Sequence, residues 1–139
     1  MGSVIAELAV SSALVLTGSA TAYAPCDGSV SIGSRGNALR LGDVASNDLA
    51  YGTWIELKRP RAVTIGSKRY RYFRVRDTGG PGFLIDIYAG RYCGFMQAWG
   101  RRQVSIRVVP RSELYRGRPI GGYKFRRGAK GARLVWRAG

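Results

Sequence analysis

The stretch that most restricts the fold is "YFRVRDTGGPGFLIDIYAG", residues 72–90. Apolar and polar residues alternate on both sides of a glycine-proline turn. Period-two alternation suits half-buried strands, and the run Gly79-Gly80-Pro81-Gly82 ends one strand before the next begins. On this pattern Phe73, Val75 and Asp77 share one face and Arg74 and Arg76 the other. Across the turn, Phe83, Ile85 and Ile87 face one way and Leu84, Asp86 and Tyr88 the opposite way.

The same punctuation recurs along the chain. "LVLTGSATAYAP" reads as a first strand, rich in Val, Thr and Tyr and closed by Pro25. "GTWIELKR" alternates Thr53, Ile55 and Leu57 against Trp54, Glu56 and Lys58. "RAVTIGSKRYRYFRVRD" holds two strands around a Gly66-Ser67 hairpin turn. "QVSIRVV" alternates and stops at Pro110. Residues 25–43 read as a loop, and residues 93–99 as a short helix. With 20 glycines and five prolines in 139 residues, a helical bundle is excluded. Six short strands with apolar demand on both sides predict a mainly β fold closed into a small six-stranded barrel.

Composition narrows the chemistry. The chain has no histidine and two cysteines, which excludes Ser-His or Cys-His catalysis and disfavours a zinc site. No metal or cofactor is expected, and proton transfer would fall to Asp, Glu, Tyr or Lys. Cys26 and Cys93 are either one disulfide or two buried thiols. The formal charge is +15, with 23 Lys/Arg against eight acids, so a polyanionic partner is implied. Glycan polymer, an acidic protein surface and nucleic acid all qualify. Residues 111–139 hold nine Lys/Arg and one acid, Glu113. They read as a basic Arg/Gly-rich tail outside the core, docking on an acidic partner in preference to nucleic acid. Residues 1–16 read as an arm or helix; a signal peptide cut near residues 13–18 is the second reading. The apolar run there is too short and broken to span a membrane.

Against that background, Asp77 and Asp86 flanking a glycine turn are conspicuous. They are either a turn cap and a salt bridge, or an acid/base pair. "VASNDLAYGTWIEL", "RDTGGPGFLIDIY" and "AWGRRQVSIRVV" resemble, in order and spacing, the segments of three-aspartate domains and their double-psi β-barrel relatives. These include membrane-bound lytic transglycosylase A and rare-lipoprotein-A-like proteins. The resemblance covers about residues 17–110. It implies a double-psi barrel at the cell wall, outside the cytoplasm, or in a virion. It further implies lytic cleavage of the MurNAc–GlcNAc bond of peptidoglycan. Asp77 and Asp86 would be catalytic, with carboxyls roughly 5–10 Å apart as in glycosidase pairs. Thr78, Gly79, Gly80, Tyr23 and Tyr88 would contact the glycan. The family's first aspartate has no counterpart in Val44-Ala45-Ser46; Asp48 is the nearest acid and the candidate substitute. The "PGF" piece also shortens the interval between the pair to nine residues. The alternative is a non-catalytic barrel that binds glycan or serves in an assembly such as a phage tail or capsid.

Overall fold

The computed structural model describes residues 14–29 and 31–139. Of the arm expected over residues 1–16, residues 1–13 lie outside the described residues, and Val15 and Leu16 instead begin the first barrel strand. The fold is mainly β. Six strands hydrogen-bond in a closed barrel: β1 (Val15–Tyr23), β7 (Ile85–Tyr88), β2 (Asp43–Ala45), β6 (Tyr72–Asp77), β3 (Trp54–Arg59) and β8 (Arg102–Val108), in that order around the ring. β1 closes it by pairing antiparallel with β8. The β1–β7 and β2–β6 pairs are parallel, and the remaining pairs antiparallel.

The interior is filled by the inward set that alternation predicts. Ile55, Phe73, Val75, Ile85, Ile87, Val104 and Ile106 are each at most 1% exposed. Truncating such a residue to Ala typically costs about 2–5 kcal/mol, so these positions hold the ring shut. The Gly66-Ser67 turn joins β4 (Val63–Ile65) to β5 (Lys68–Tyr70), which form a separate hairpin rather than part of the ring. The sixth barrel strand is instead β2. The helix α1 is Cys93–Trp99; Trp99 is buried and its indole N–H donates to the Ala20 carbonyl. Cys26 is bonded to Cys93, with Cα atoms 6.2 Å apart, so the loop after β1 is fixed to the first turn of α1.

The expectation that residues 111–139 lie outside the core is corrected by the packing. They carry two hairpins: β9 (Leu114–Tyr115) with β10 (Arg118–Pro119), and β11 (Tyr123–Gly128) with β12 (Gly131–Trp136). Pro119 is fully buried, and Ala138 belongs to the core cluster with Trp136 packed against it. The Ala138 carbonyl accepts the backbone N–H of both Arg71 and Tyr72 at the head of β6. Outer-face residues of β3 and β6 are therefore covered: Glu56 is 6% and Tyr72 3% exposed. The segment's buried residues close over the barrel, while most of β11–β12 stands clear, with Phe125 78% exposed.

Candidate active site

Both sequence-selected aspartates come together through one short strand. Ala45 of β2 is the register partner of Asp77 on β6 and of Asp86 on β7. The two aspartates thus flank one residue, two strand spacings apart, about 10 Å between backbones. Their common orientation needs a bulge. Val44 pairs with Val75, yet Ala45 pairs with Asp77, so the register slips by one and Arg76 is the extra residue. In a regular strand Asp77 would share the inward face of Phe73 and Val75, as alternation predicts. The bulge turns it outward instead, onto the face of Asp86, which alternates with inward Ile85 and Ile87.

β1 supplies one hydroxyl to each carboxylate. Thr21 lies in register with Asp86 and donates its hydroxyl to Asp86 Oδ1 at 2.9 Å. Two residues on, Tyr23 donates its phenol to Asp77 Oδ2 at 2.9 Å. Asp77 Oδ1 also accepts the backbone N–H of Thr78 and of Ser34, each at 2.9 Å. Ser34 reaches Asp77 because Gly33 lies hard against the end of β6; a Cβ there would sit 2.5 Å from the Arg76 carbonyl. Gly79 makes a similar close approach, with a Cβ position 3.1 Å from Ser46 Cα, which folds the glycine turn over β2.

The resulting open pocket, about 270 Å³, is lined by Asp77, Asp86, Tyr23, Thr78, Gly79 and Gly80, together with Ser29, Ala45 and Phe83. Two expected site residues stand elsewhere. Tyr88 is buried behind Tyr23, ring edge to face at 5.4 Å, and does not line the pocket. Asp48 is exposed in the loop after β2, its N–H on Ser46 Oγ, and does not line it either. A third carboxylate approaches by another route. Asp27, in the short 3₁₀ turn Pro25–Asp27 beside Cys26, accepts the N–H and hydroxyl of the pocket residue Ser29. Sequence reasoning missed it; "CDGS" signals only a local turn.

The two paired aspartates differ electrostatically. Burial pushes the Asp86 carboxyl up to about 6, against the pull of the Thr21 hydrogen bond and with added repulsion from Asp27 and Asp77. Burial, followed by the hydrogen bond to Asp77, pushes the Tyr23 phenol far above its ordinary value, so it remains a donor. Asp27 is held below the usual carboxylate range, chiefly by Ser29. Among the described residues no Lys or Arg forms an ion pair with Asp77 or Asp86. The pocket therefore offers one carboxyl poised to exchange a proton near neutral pH and a second, rigidly hydrogen-bonded carboxyl beside it. Among the described residues no group of three or more Cys, Asp or Glu is placed to hold a metal ion. No helix among them is long and apolar enough to cross a membrane.

No protein-family model matches the chain, and no curated protein matches it.

Proposed function

We propose that the chain is a double-psi β-barrel protein of the three-aspartate type that cleaves peptidoglycan glycan strands as a lytic transglycosylase. The observation that carries this reading is the arrangement around Ala45. Two carboxylates flank it on one face, one of them raised to about 6, with neutral donors instead of arginines. The closed ring with its two parallel pairs supports the fold assignment.

In this mechanism protonated Asp86 gives its proton to the glycosidic oxygen as the C1–O bond breaks. The resulting carboxylate takes the proton of the C6 hydroxyl, whose oxygen bonds to C1 and forms the 1,6-anhydro ring. Asp86 ends as it began, and no water is consumed. Asp77, fixed by Tyr23, Ser34 and Thr78, supplies negative charge next to the developing oxocarbenium ion. Incubation with purified sacculi should release anhydro-muropeptides detectable by mass spectrometry; reducing-end products without the anhydro ring would exclude the lytic route.

The second reading is a non-catalytic glycan-binding or assembly barrel. Ala45, central between the aspartates where a third carboxylate would complete the set, favours it. So does the exposed basic β11–β12 hairpin. Sacculus binding with no soluble product would select this reading. The wall or a virion is the location either reading implies.

A further inference from the structure

A second cavity, about 170 Å³, shares β2 and β6 with the aspartate pocket but carries the opposite charge. Its cations are Arg40, Lys68, Arg74, Arg76 and Arg118, and its one acid is Asp43. Asp43 offsets one of the five charges at most. Its Oδ2 accepts the Arg40 backbone N–H at 2.8 Å and stands 3.9 Å from Arg76 Nε, too far for a good hydrogen bond. Burial raises its pKa, although the Arg40 N–H and the surrounding arginines pull the other way.

The cations are braced by aromatic rings rather than by acids. Arg74 lies 5.6 Å over Trp54, and Arg118 5.5 Å over Trp136. The two indoles meet edge to face at 5.3 Å, and Trp54 Nε1 donates to the Gly117 carbonyl, pinning the β9–β10 hairpin over the opening. Arg74 Nε is buried without a hydrogen-bond partner among the described residues. Planar guanidinium groups held in fixed directions with donors unspent suit a tetrahedral oxyanion, which accepts paired N–H bonds.

We propose that this cavity is an oxyanion site for a phosphate ester, its charge held by Arg74, Arg76 and Arg118 and its organic body lying against Trp54 and Trp136. The site is distinct from the aspartate pocket and does not depend on the activity assigned there.

The chain's three tryptophans make the test direct. Trp54 and Trp136 line the cavity, whereas Trp99, at the end of α1, is buried with its indole N–H on the Ala20 carbonyl. Inorganic phosphate, glycerol phosphate and adenosine monophosphate are titrated at constant ionic strength while indole N–H resonances are followed. Saturable shifts of Trp54 and Trp136, with Trp99 still, are expected, and the esters should bind more tightly than inorganic phosphate. The two ester arms separate a polyol phosphate from a nucleotide source. Arg118→Ser, at an exposed hairpin position, should weaken binding about tenfold, the loss of one charge-assisted contact. Arg74→Lys keeps the charge, loses the fork, and should weaken it comparably. Shifts reproduced by sodium chloride would overturn the proposal. So would unchanged affinity in both variants, or a shift of Trp136 with Trp54 unmoved.

Discussion

Glu56 and Asp86 are both carboxylates on outward-facing barrel positions, and the chain treats them in opposite ways. Glu56 is 6% exposed and held by Arg71 at 2.7 Å and Arg107 at 2.8 Å. Arg107 also grips Glu113 with two bonds, at 2.7 and 2.8 Å, tying β3 and β8 to the start of the C-terminal segment. Burial alone would raise the Glu56 carboxyl, but Arg107 and Arg71 hold it below the ordinary value. Asp86 is raised by burial, with two negative neighbours adding to the shift and only one neutral hydroxyl opposing it. A chain with 23 cations has placed two on Glu56 and none on Asp86. Glu56 is thereby held ionised, whereas the proposed mechanism needs Asp86 to keep a proton it can give, which a paired cation would remove.

The largest expected effect breaks the Glu56 side altogether. A chain ending at Pro110 loses Pro119, Trp136 and Ala138 from the core and leaves Arg107 without Glu113. The loss should be on the order of 5 kcal/mol or more, comparable with the stability of a whole domain. Circular dichroism should show no cooperative melt near that of the full chain. An unchanged melting temperature would make residues 111–139 a true tail.

On the Asp86 side the largest effect is on rate. Asp86→Asn keeps the shape and the Thr21 contact but has no proton to give. Under the lytic mechanism it should cut anhydro-muropeptide release about 10²–10⁴-fold. Parent activity should fall as the pH rises through about 6, because the donating form is the protonated one. Full activity in the variant would reduce the pair to a turn cap and a spare acid.

Glu56→Ala should leave the Asp86 pocket intact yet destabilise the fold by about 1–3 kcal/mol, because Arg71 and Arg107 lose their shared partner, though Arg107 keeps Glu113 and Arg71 reaches solvent. The parent's contribution from this residue is present above the ordinary glutamate value of 4.5 and is lost as the pH falls through the lowered value. Urea melts of both proteins at pH 7 and pH 3 would measure it. A difference that persists undiminished at pH 3 would mean packing, not charge, is what Glu56 provides.

The two sides were unequally legible in the sequence. Strands with clean alternation, the Gly66-Ser67 hairpin and the helix at Cys93–Trp99 follow from local pattern and are where the pattern puts them. β2 escapes local pattern: the loop expected over 25–43 takes in Asp43, and three buried residues show no period that would mark Val44 and Ala45 as strand. Local sequence also cannot reveal the slip at Arg76, since a bulge is fixed by the partner strand. Asp77 and Asp86 stand out in the sequence as two acids flanking a glycine turn, and the fold brings them to one pocket, but alternation alone would have turned Asp77 to the inward face. Asp27 and the closing role of Trp136 and Ala138 depend on contacts between distant segments, as does the bond from Cys26 to Cys93. Charge misled at the C-terminus: a basic stretch reads as solvated, yet its apolar residues sit between the arginines and seal the barrel.

The smallest effect sharpens the contrast most, because it has the opposite sign to that of Glu56. Asp86 has a folded value of about 6 against an ordinary 3.8. Its contribution to stability is fully present below 3.8, where both states are protonated, and is lost as the pH rises through about 6. At pH 7 the ionised carboxylate therefore costs the folded state free energy. The full shift would correspond to about 3 kcal/mol, but the pocket is open and the group only half-buried, so solvent screening reduces this to on the order of 1 kcal/mol. Asp86→Asn removes the charge and should melt about 3 °C above the parent at pH 7. The gap should close as the pH is lowered from 6 to 4, whereas the gap for Glu56→Ala narrows only as the pH falls below the ordinary 4.5. Melting curves in steps of half a pH unit would show the two profiles. An Asn variant less stable than the parent at pH 7 would mean that the carboxylate is held by a favourable partner, and the distinction between the two acids would fail.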